Sequence, residues 1–206
     1  MSIKDSLKTY RKKRDFKRTP EPSGEPARRR SKLPVFVIQK HDATRLHYDF
    51  RIEAGGVLKS WAVPKGPSTN PKDKRLAMPT EDHPMEYRNF EGFIPEGGYG
   101  AGPVIVWDNG TYRNISEKNG REIPVEDALK QGRAKIWLEG QKLKGGYALT
   151  RIGSNPARWL LIKMNDSEAD AGRNITEDEP NSVLTERSIQ EIGTRVRKHT
   201  RTRKVA

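Results

Sequence analysis

An unbroken alternation of apolar and polar residues runs from Arg45 to Glu53. The apolar positions are Leu46, Tyr48, Phe50 and Ile52, and the polar positions between them are His47, Asp49, Arg51 and Glu53. Because successive side chains of a strand point to opposite faces, this period predicts a β-strand with one face against a core. Gly55-Gly56 then predicts a hairpin turn, and residues 57–63 are expected to return as the partner strand.

Short β-rich runs between turn signals predict six further strands. They cover residues 35–39, 104–107, 111–115, 134–138, 147–152 and 159–164. Asp108-Asn109-Gly110 is expected to form a tight turn between two of them, because such turns need residues that tolerate positive φ. Gly145-Gly146 is expected to precede the strand at residues 147–152. Many short strands with frequent turns favour an antiparallel sandwich or a small barrel.

Three short helices are predicted beside the strands. The first covers about residues 6–14, and the second covers residues 125–131 and ends at Gly132. The third begins at Ser188, where Ser188 and Glu191 fit a capping box, and runs to about Lys198.

Composition divides the chain into three segments. Residues 1–34 carry twelve Lys and Arg against four Asp and Glu, with prolines among them, and are expected to form a basic arm. Residues 35–164 contain the predicted strands and are expected to form the folded core. Residues 165–206 begin with an acidic loop, continue with the third helix and end in a basic tail.

The balance of charge favours an anionic partner. The formal net charge is +13, and Lys and Arg release counterions from a phosphate backbone, so nucleic acid is the favoured partner. A basic surface without a partner, or one that contacts an anionic membrane, is the alternative. The absence of cysteine excludes disulfides and Cys-ligated zinc. Neither an eighteen-residue apolar run nor a secretory signal is found, so a cytoplasmic protein is expected.

The polar face of the alternating strand carries the candidate chemistry. Same-face neighbours in a strand lie roughly 6.5–7 Å apart, so His47 and Asp49 could converge on one ion. His41 has the same parity, and a kink at residues 42–44 could bring it to the same centre. Two imidazoles and a carboxylate leave open positions on a first-row metal, as catalysis requires, and Arg51 could hold a phosphate there. The alternative is a polar strand face in water, since His-x-Asp alone is a weak pattern.

Other polar residues allow two interpretations each. His83 could donate to a phosphate or act as a general acid, or it could be a turn residue before Pro84. Lys65 and Arg75 could bind phosphate or be surface charge. Residues 97–102 are glycine-rich, but no helix follows them, so they predict backbone bends and not a phosphate loop. Four tryptophans lie in predicted strands and are expected in the core: Trp61, Trp107, Trp137 and Trp159.

Long motifs in the chain resemble a known family. Residues 36–51, FVIQKHDATRLHYDFR, closely resemble the 3′-phosphoesterase domain of bacterial DNA ligase D, the ligase of non-homologous end joining. The likeness continues in KSWAVPKGP at 59–67, in EDHP at 81–84 and in FIPEGGYG at 93–100. YRKKRDF at 10–16 and TPEP at 19–22 match too, and the resemblance reaches to about Ile192.

This resemblance implies a fold, a metal and a set of residues. The fold would be a compact antiparallel β-barrel with short flanking helices. The metal would be manganese, or another first-row divalent ion, bound by His41, His47 and Asp49, while Arg51 and His83 would hold the scissile phosphate. The other matching functional positions are Arg14, Asp15, Glu21, Gln39, Lys65, Arg75, Glu81 and Tyr87. Three of these lie in the arm, which is therefore expected to fold back in part onto the site.

The resemblance also implies an activity. The family removes a 3′-terminal ribonucleoside from a primer strand and then hydrolyses the 3′-phosphate that is left, giving a 3′-OH. The expected substrate is the 3′ end of a DNA or RNA/DNA primer–template, with ligase and polymerase modules of end joining as possible partners and no membrane. The alternative is a basic barrel that binds nucleic acid without catalysis and recruits repair enzymes.

Overall fold

A computed structural model of the protein describes residues 3–24 and 32–194. The strands are β1 Val35–Asp42, β2 Leu46–Ala54, β3 Val57–Val63, β4 Arg75–Pro79, β5 Gly92–Ile94, β6 Gly102–Asn114, β7 Glu117–Lys118, β8 Arg121–Glu122, β9 Arg133–Gly140, β10 Lys144–Arg151 and β11 Trp159–Lys163. The α-helices are α1 Ile3–Ser6, α2 Lys8–Lys12, α3 Val125–Gln131 and α4 Ile175–Asp178. A 3₁₀ helix covers Met85–Asn89, and residues 189–194 are helical. Among the described helices, none has the length and apolar character needed to cross a membrane.

Eight strands close an antiparallel barrel in the order β1-β2-β3-β4-β11-β10-β9-β6. Closure occurs because β6 pairs with β1 as well as with β9. β5 adds to the sheet beside the start of β6, and β7 and β8 form a separate small hairpin. The mainly β fold with a barrel and short helices is therefore confirmed.

Apolar side chains from alternate strand positions fill the barrel interior. Phe50 on β2, Trp107 on β6 and Trp159 on β11 belong to one buried cluster with residues from the other five strands. Burying a large apolar side chain contributes about 1.5–3 kcal/mol, so this cluster is the main source of stability. Because the interior is packed, functional side chains have to lie on the outer wall or at the barrel ends.

A second layer covers part of the outer wall. Tyr10 from the N-terminal arm is fully buried and packs with Val37 of β1, Leu58 of β3 and Tyr87. The polar face of β2 points to this side of the wall, where Asp49 and Arg51 are buried and His47 and Glu53 are half-buried. Arg51 is only 3% exposed. The alternative of a polar strand face in water is therefore wrong for Asp49 and Arg51.

The predicted turn at Asp108-Asn109-Gly110 is wrong, because β6 runs through these residues without a break. The Asp108 carboxylate accepts backbone N–H bonds from residues 141–143, which fixes it against the β9–β10 connection. Gly110 lets the strands approach closely, since a Cβ there would lie 2.1 Å from the Glu139 carbonyl oxygen. These turn-forming residues therefore let two strands lie close together, and they do not reverse the chain.

Two local predictions are confirmed, and the first predicted helix is corrected. Gly55 and Gly56 have φ of +62° and +78° and close the β2–β3 hairpin. α3 spans the predicted residues and ends at Gly132, whose φ is +84°. The helix predicted for residues 6–14 is instead interrupted after Ser6, and α2 ends at Lys12.

Other local predictions fail at the barrel ends. Leu46, assigned to the apolar face, is 46% exposed because it begins β2 at the rim. Gly145-Gly146 lies inside β10, and β4 and β5 were not predicted. The acidic segment contains α4, whose Ile175 is buried in the main cluster.

The remaining predictions concern the C-terminal helix and the tryptophans. The Ser188–Glu191 capping box forms, with Ser188 N donating to Glu191 Oε2 at 2.7 Å. The predicted continuation to Lys198 lies outside the described residues. Trp61, Trp107 and Trp159 are buried as predicted, whereas Trp137 is half-buried.

Candidate metal and phosphate site

His41 and His47 lie directly opposite each other on neighbouring strands. The β1–β2 register pairs His41 with His47 and Gln39 with Asp49. The two imidazole centroids are 4.8 Å apart. The predicted kink at residues 42–44 is therefore not what brings His41 to the centre, since cross-strand pairing already does so.

Asp49 completes a compact group of three potential metal ligands with His41 and His47. One ligand atom from each residue lies within 4.8 Å of the others. His41 Nδ1 is 3.6 Å from Asp49 Oδ2, and His47 Nε2 is 3.7 Å from the same oxygen. Bonds of about 2.0–2.2 Å to a common ion would separate ligand atoms by roughly 3–3.5 Å, so this spacing suits one small cation.

Backbone carbonyls determine which ring nitrogen of each histidine faces the centre. His41 Nε2 donates to the Gly100 carbonyl oxygen at 2.8 Å, and His47 Nδ1 donates to that of Arg45 at 2.9 Å. The opposite nitrogens, His41 Nδ1 and His47 Nε2, are the ones that face Asp49. Such outer hydrogen bonds are the usual means of orienting metal-binding imidazoles.

The Asp49 carboxylate is held in its charged form. Burial alone raises the pKa of this carboxyl, but the Arg51 guanidinium and the two imidazoles outweigh burial and hold the pKa well below its usual range. Arg51 Nη2 lies 3.0 Å from Asp49 Oδ2. Asp49 is therefore an anionic oxygen donor throughout the neutral pH range.

Arg51 is fixed by a buried hydrogen-bond relay. Its Nε donates to Gln39 Oε1 at 2.8 Å. The Gln39 amide donates in turn to the carbonyl oxygens of Tyr87 and Phe90, at 3.0 and 2.9 Å. Because Gln39 is fully buried, the relay sets the direction of the guanidinium and leaves its Nη atoms turned towards Asp49 and His83.

His83 lies between two guanidinium groups. Its Nδ1 is 2.9 Å from Arg51 Nη1 and 2.8 Å from the Glu81 carbonyl oxygen, and its Nε2 is 3.3 Å from Arg14 Nη2. Burial and the charges of Arg51 and Arg14 hold the pKa of His83 well below 6.5, so the ring is neutral. A neutral imidazole has one accepting nitrogen. Because the Glu81 carbonyl oxygen can only accept, its bond places the proton on Nδ1, and Arg51 Nη1 therefore faces an N–H group.

The N-terminal arm supplies a second set of charges to the same place. Arg14 pairs with Glu21 at 2.8 Å and with Glu81 at 2.9 Å. The Tyr87 hydroxyl donates to Glu21 at 2.9 Å. Burial and the Glu21 carboxylate raise the pKa of Tyr87 well above its ordinary value, so this hydroxyl keeps its proton. The Glu21 and Glu81 carboxylates are thus paired with Arg14 and orient it.

Three residues from the predicted set lie apart from this network. Lys65 is exposed just beyond β3, where the chain runs beside the start of β2. Arg75 pairs with Asp73 at 2.8 Å and lines a separate polar cavity with residues 171–175. Asp15 is exposed and accepts from the Lys17 backbone N–H at 3.1 Å. The structure brings together the other ten predicted residues.

Three side chains at the site were missed by the sequence interpretation. Tyr10 packs edge-on against His83, with ring centroids 5.1 Å apart. Lys13 donates to Glu81 at 2.9 Å and to the Tyr99 hydroxyl at 3.0 Å. Tyr10, Lys13 and Tyr99 all lie within motifs that carry the family resemblance, but neither the hydrophobic period nor the spacing of polar residues indicates a role for them.

Comparison with known proteins gives a consistent result. Residues 39–151 match the family model of the DNA ligase D 3′-phosphoesterase domain. The chain is 46% identical over 188 residues to the multifunctional non-homologous end joining protein LigD of Pseudomonas aeruginosa, covering 89% of this chain and 22% of that protein. It is 43% identical over 166 residues to the LigD protein of Mycolicibacterium smegmatis, covering 81% of this chain and 21% of that protein. The chain thus spans about a fifth of the length of these relatives.

Proposed function

The chain belongs to the DNA ligase D 3′-phosphoesterase family, and on this premise we propose that it is a metal-dependent hydrolase that heals 3′ ends of nucleic acid strands. It removes 3′-terminal ribonucleosides and 3′-phosphates from primer strands and leaves 3′-OH ends. The relatives are named as end-joining proteins. DNA or RNA/DNA primer–template ends are the substrates, and ligase and polymerase modules of end joining are the partners.

His41, His47 and Asp49 hold the metal in this proposal. Two nitrogen donors and one oxygen donor suit manganese or another first-row divalent ion and leave positions for a substrate. When bound, such an ion acts as a Lewis acid on a phosphoryl oxygen. The fit is supported by the convergent ring nitrogens of the two imidazoles and by the charged state of Asp49.

The Arg51 guanidinium N–H that faces the proton-bearing nitrogen of His83 is the observation that carries the phosphate-binding role. Arg51 and Arg14 both direct guanidinium N–H groups at a ring that can accept only one of them. An anion with several acceptor oxygens, such as a phosphate, satisfies all of these donors at once. Arg51 and His83 therefore hold the scissile phosphate, and Gln39, Tyr87, Glu21 and Glu81 keep the donors in place.

The balance of charge supports a dianion beside a divalent metal. Lys13, Arg14 and Arg51 are paired with Glu21, Asp49 and Glu81, three cations against three anions, which sum to zero. A divalent ion raises the sum to +2, which a phosphate dianion cancels. Lys65, Arg75 and Asp15 lie outside this cluster, so we assign Lys65 and Arg75 to phosphates farther along the strand and Asp15 to the arm.

The direct test is an end-healing assay. A primer–template with a 3′-terminal ribonucleotide, or with a 3′-phosphate, is incubated with manganese and the products are separated on a gel. Asp49→Asn and His41→Ala should abolish turnover on both substrates. Asp127→Asn removes an exposed carboxylate that pairs with Lys130 at 3.0 Å on α3, and it should retain full activity.

Two results would count against the proposal. Turnover close to that of the wild type in Asp49→Asn or His41→Ala would refute the metal assignment. Salt-sensitive DNA binding by the wild type, with no product in the presence of any divalent metal, would instead favour the non-catalytic binding barrel.

A further inference from the structure

Tyr99 is an exposed aromatic residue at the edge of the candidate site. Its side chain is 50% exposed, whereas the other aromatic residues in the described part of the chain are buried or half-buried. It lies in a glycine turn in which Gly97 and Gly100 have φ of +80° and +73°. A single exposed tyrosine is common on protein surfaces, so exposure alone does not indicate a role.

The ring is nevertheless held in a defined position. The carbonyl oxygen of the next residue, Gly100, accepts the hydrogen bond from His41 Nε2 at 2.8 Å, which ties the turn to the metal ligands. On the arm side, Lys13 Nζ donates to the Tyr99 hydroxyl at 3.0 Å and lies 4.2 Å from the ring centroid. Lys13 is itself paired with Glu81 at 2.9 Å. An exposed ring fixed from two sides is pre-organised for stacking.

A small cavity of about 140 Å³ opens beside the ring, between the arm and the glycine turn. Arg14 lines this cavity and also contacts His83, so the cavity begins one side chain away from the proposed phosphate position. The charged residues that line it are three cations and three carboxylates: Lys13, Arg14, Arg18, Asp15, Glu21 and Glu96. These formal charges sum to zero, and the carboxylates can accept hydrogen bonds from hydroxyls, which suits an uncharged sugar and base.

We infer that Tyr99 stacks on the base of the 3′-terminal ribonucleoside that is cleaved off, and that the cavity receives this nucleoside. The inference rests on the proposed function and specifies its leaving-group site. The terminal nucleoside carries a base and hydroxyl groups beyond the scissile phosphate but no second phosphate, which matches an aromatic ring beside a cavity of balanced charge. Stacking on an aromatic ring tolerates any base, so the site recognises the 3′ end of a strand whatever its terminal base is.

The competing explanation is that Tyr99 only anchors the arm through its hydroxyl bond with Lys13. The two roles depend on different parts of the side chain. Tyr99→Phe keeps the ring and removes the hydroxyl, whereas Tyr99→Leu removes the aromatic ring as well. The two substrates also differ, because a 3′-phosphate end has no nucleoside beyond the scissile phosphate.

The kinetic test uses both variants on both substrates. Tyr99→Leu should raise KM about ten-fold for the ribonucleoside-terminated primer and change KM for the 3′-phosphate primer less than two-fold. Tyr99→Phe should stay within two-fold of the wild type on both. Equal effects of Tyr99→Leu on the two substrates, or a defect in Tyr99→Phe as large as that in Tyr99→Leu, would overturn the stacking role.

A second measurement does not depend on either variant folding. A primer whose terminal ribose lacks its base should bind wild-type protein about ten-fold more weakly than the normal primer. With terminal 2-aminopurine ribonucleoside and EDTA to prevent turnover, binding of wild-type protein should quench the fluorescence of the base. Equal affinity for the primer without the base, or no quenching, contradicts the inference. Absence of turnover by the wild type on both substrates would instead refute the proposed function, while the quenching still tests Tyr99.

Discussion

The Nε2 atom of His41 donates to the carbonyl oxygen of Gly100, 2.8 Å away, and this bond orients one ligand of the candidate metal site from a loop 59 residues distant in sequence. The barrel strands bring His41 beside His47, but the glycine turn decides which nitrogen of His41 faces Asp49. Metal affinity should therefore respond to changes in a loop that contributes no ligand of its own.

Gly100→Ala should weaken manganese binding about ten-fold. Gly100 has a φ of +73°, and a Cβ there would lie 3.3 Å from His41 Cε1, so the substitution strains the turn and presses on the imidazole. Isothermal titration with manganese measures the effect. Gly97→Ala is the matched control, because its φ is +80° but a Cβ would meet nothing within 4 Å. Equal affinities of the two variants would show that the turn does not orient His41.

Arg51→Lys should lower kcat at least one hundred-fold on the 3′-phosphate substrate while the protein stays folded. A lysine has one nitrogen, so it cannot replace the separate contacts of Arg51 to Gln39, Asp49 and His83. Steady-state kinetics and a thermal melt measure the two properties. Arg113→Lys is a control at an exposed arginine that pairs with Glu139, and it should be silent. If Arg51→Lys retains most of its activity, a simple positive charge is sufficient at this position.

His83 should make the metal-free protein less stable in mild acid. Its pKa in the folded state is held well below 6.5 by burial and by the charges of Arg51 and Arg14. Below pH 6.5 the unfolded chain binds a proton at His83 that the folded chain does not bind, so the free energy of unfolding falls as the pH falls. The contribution reaches at most about 1.4 kcal/mol per pH unit.

The measurement for His83 is urea unfolding with EDTA at pH 7.5, 6.5 and 5.5. His83→Gln should lose less stability than the wild type between pH 6.5 and 5.5, because it lacks the titrating group. Between pH 7.5 and 6.5 the two proteins should differ less, because His83 of the unfolded chain is at most half protonated there. If the wild type and His83→Gln lost equal stability in both intervals, His83 would take up its proton normally in the folded state.

Gly110→Ala should destabilise the barrel by about 1–3 kcal/mol. The added Cβ would lie 2.1 Å from the Glu139 carbonyl oxygen, and both strands would have to move apart. Denaturant unfolding measures the change. Gly172→Ala is the control, because its nearest contact would be Asp170 Oδ1 at 3.5 Å. A barrel of unchanged stability would show that the close approach of β6 and β9 is not required.

The sequence alone determined the alternating strand β2, its hairpin with β3 and the short helix α3. These elements follow from local rules: a period of two, a Gly-Gly turn, and a glycine that ends a helix. The polar positions of β2 also predicted that His47, Asp49 and Arg51 share a face. Long motifs then indicated the family, which the comparisons confirm.

Tertiary structure decided what those positions face. His41 meets His47 through strand pairing, and Arg14 reaches His83 across 69 residues of sequence, which no local period encodes. The turn predicted at residues 108–110 failed because Gly110 and Asp108 respond to β9 and the loop after it, and not to their neighbours in sequence. Burial of the polar face depends on the arm. The arm, and Tyr10 above all, covers the outer wall by packing against segments that are distant in the chain.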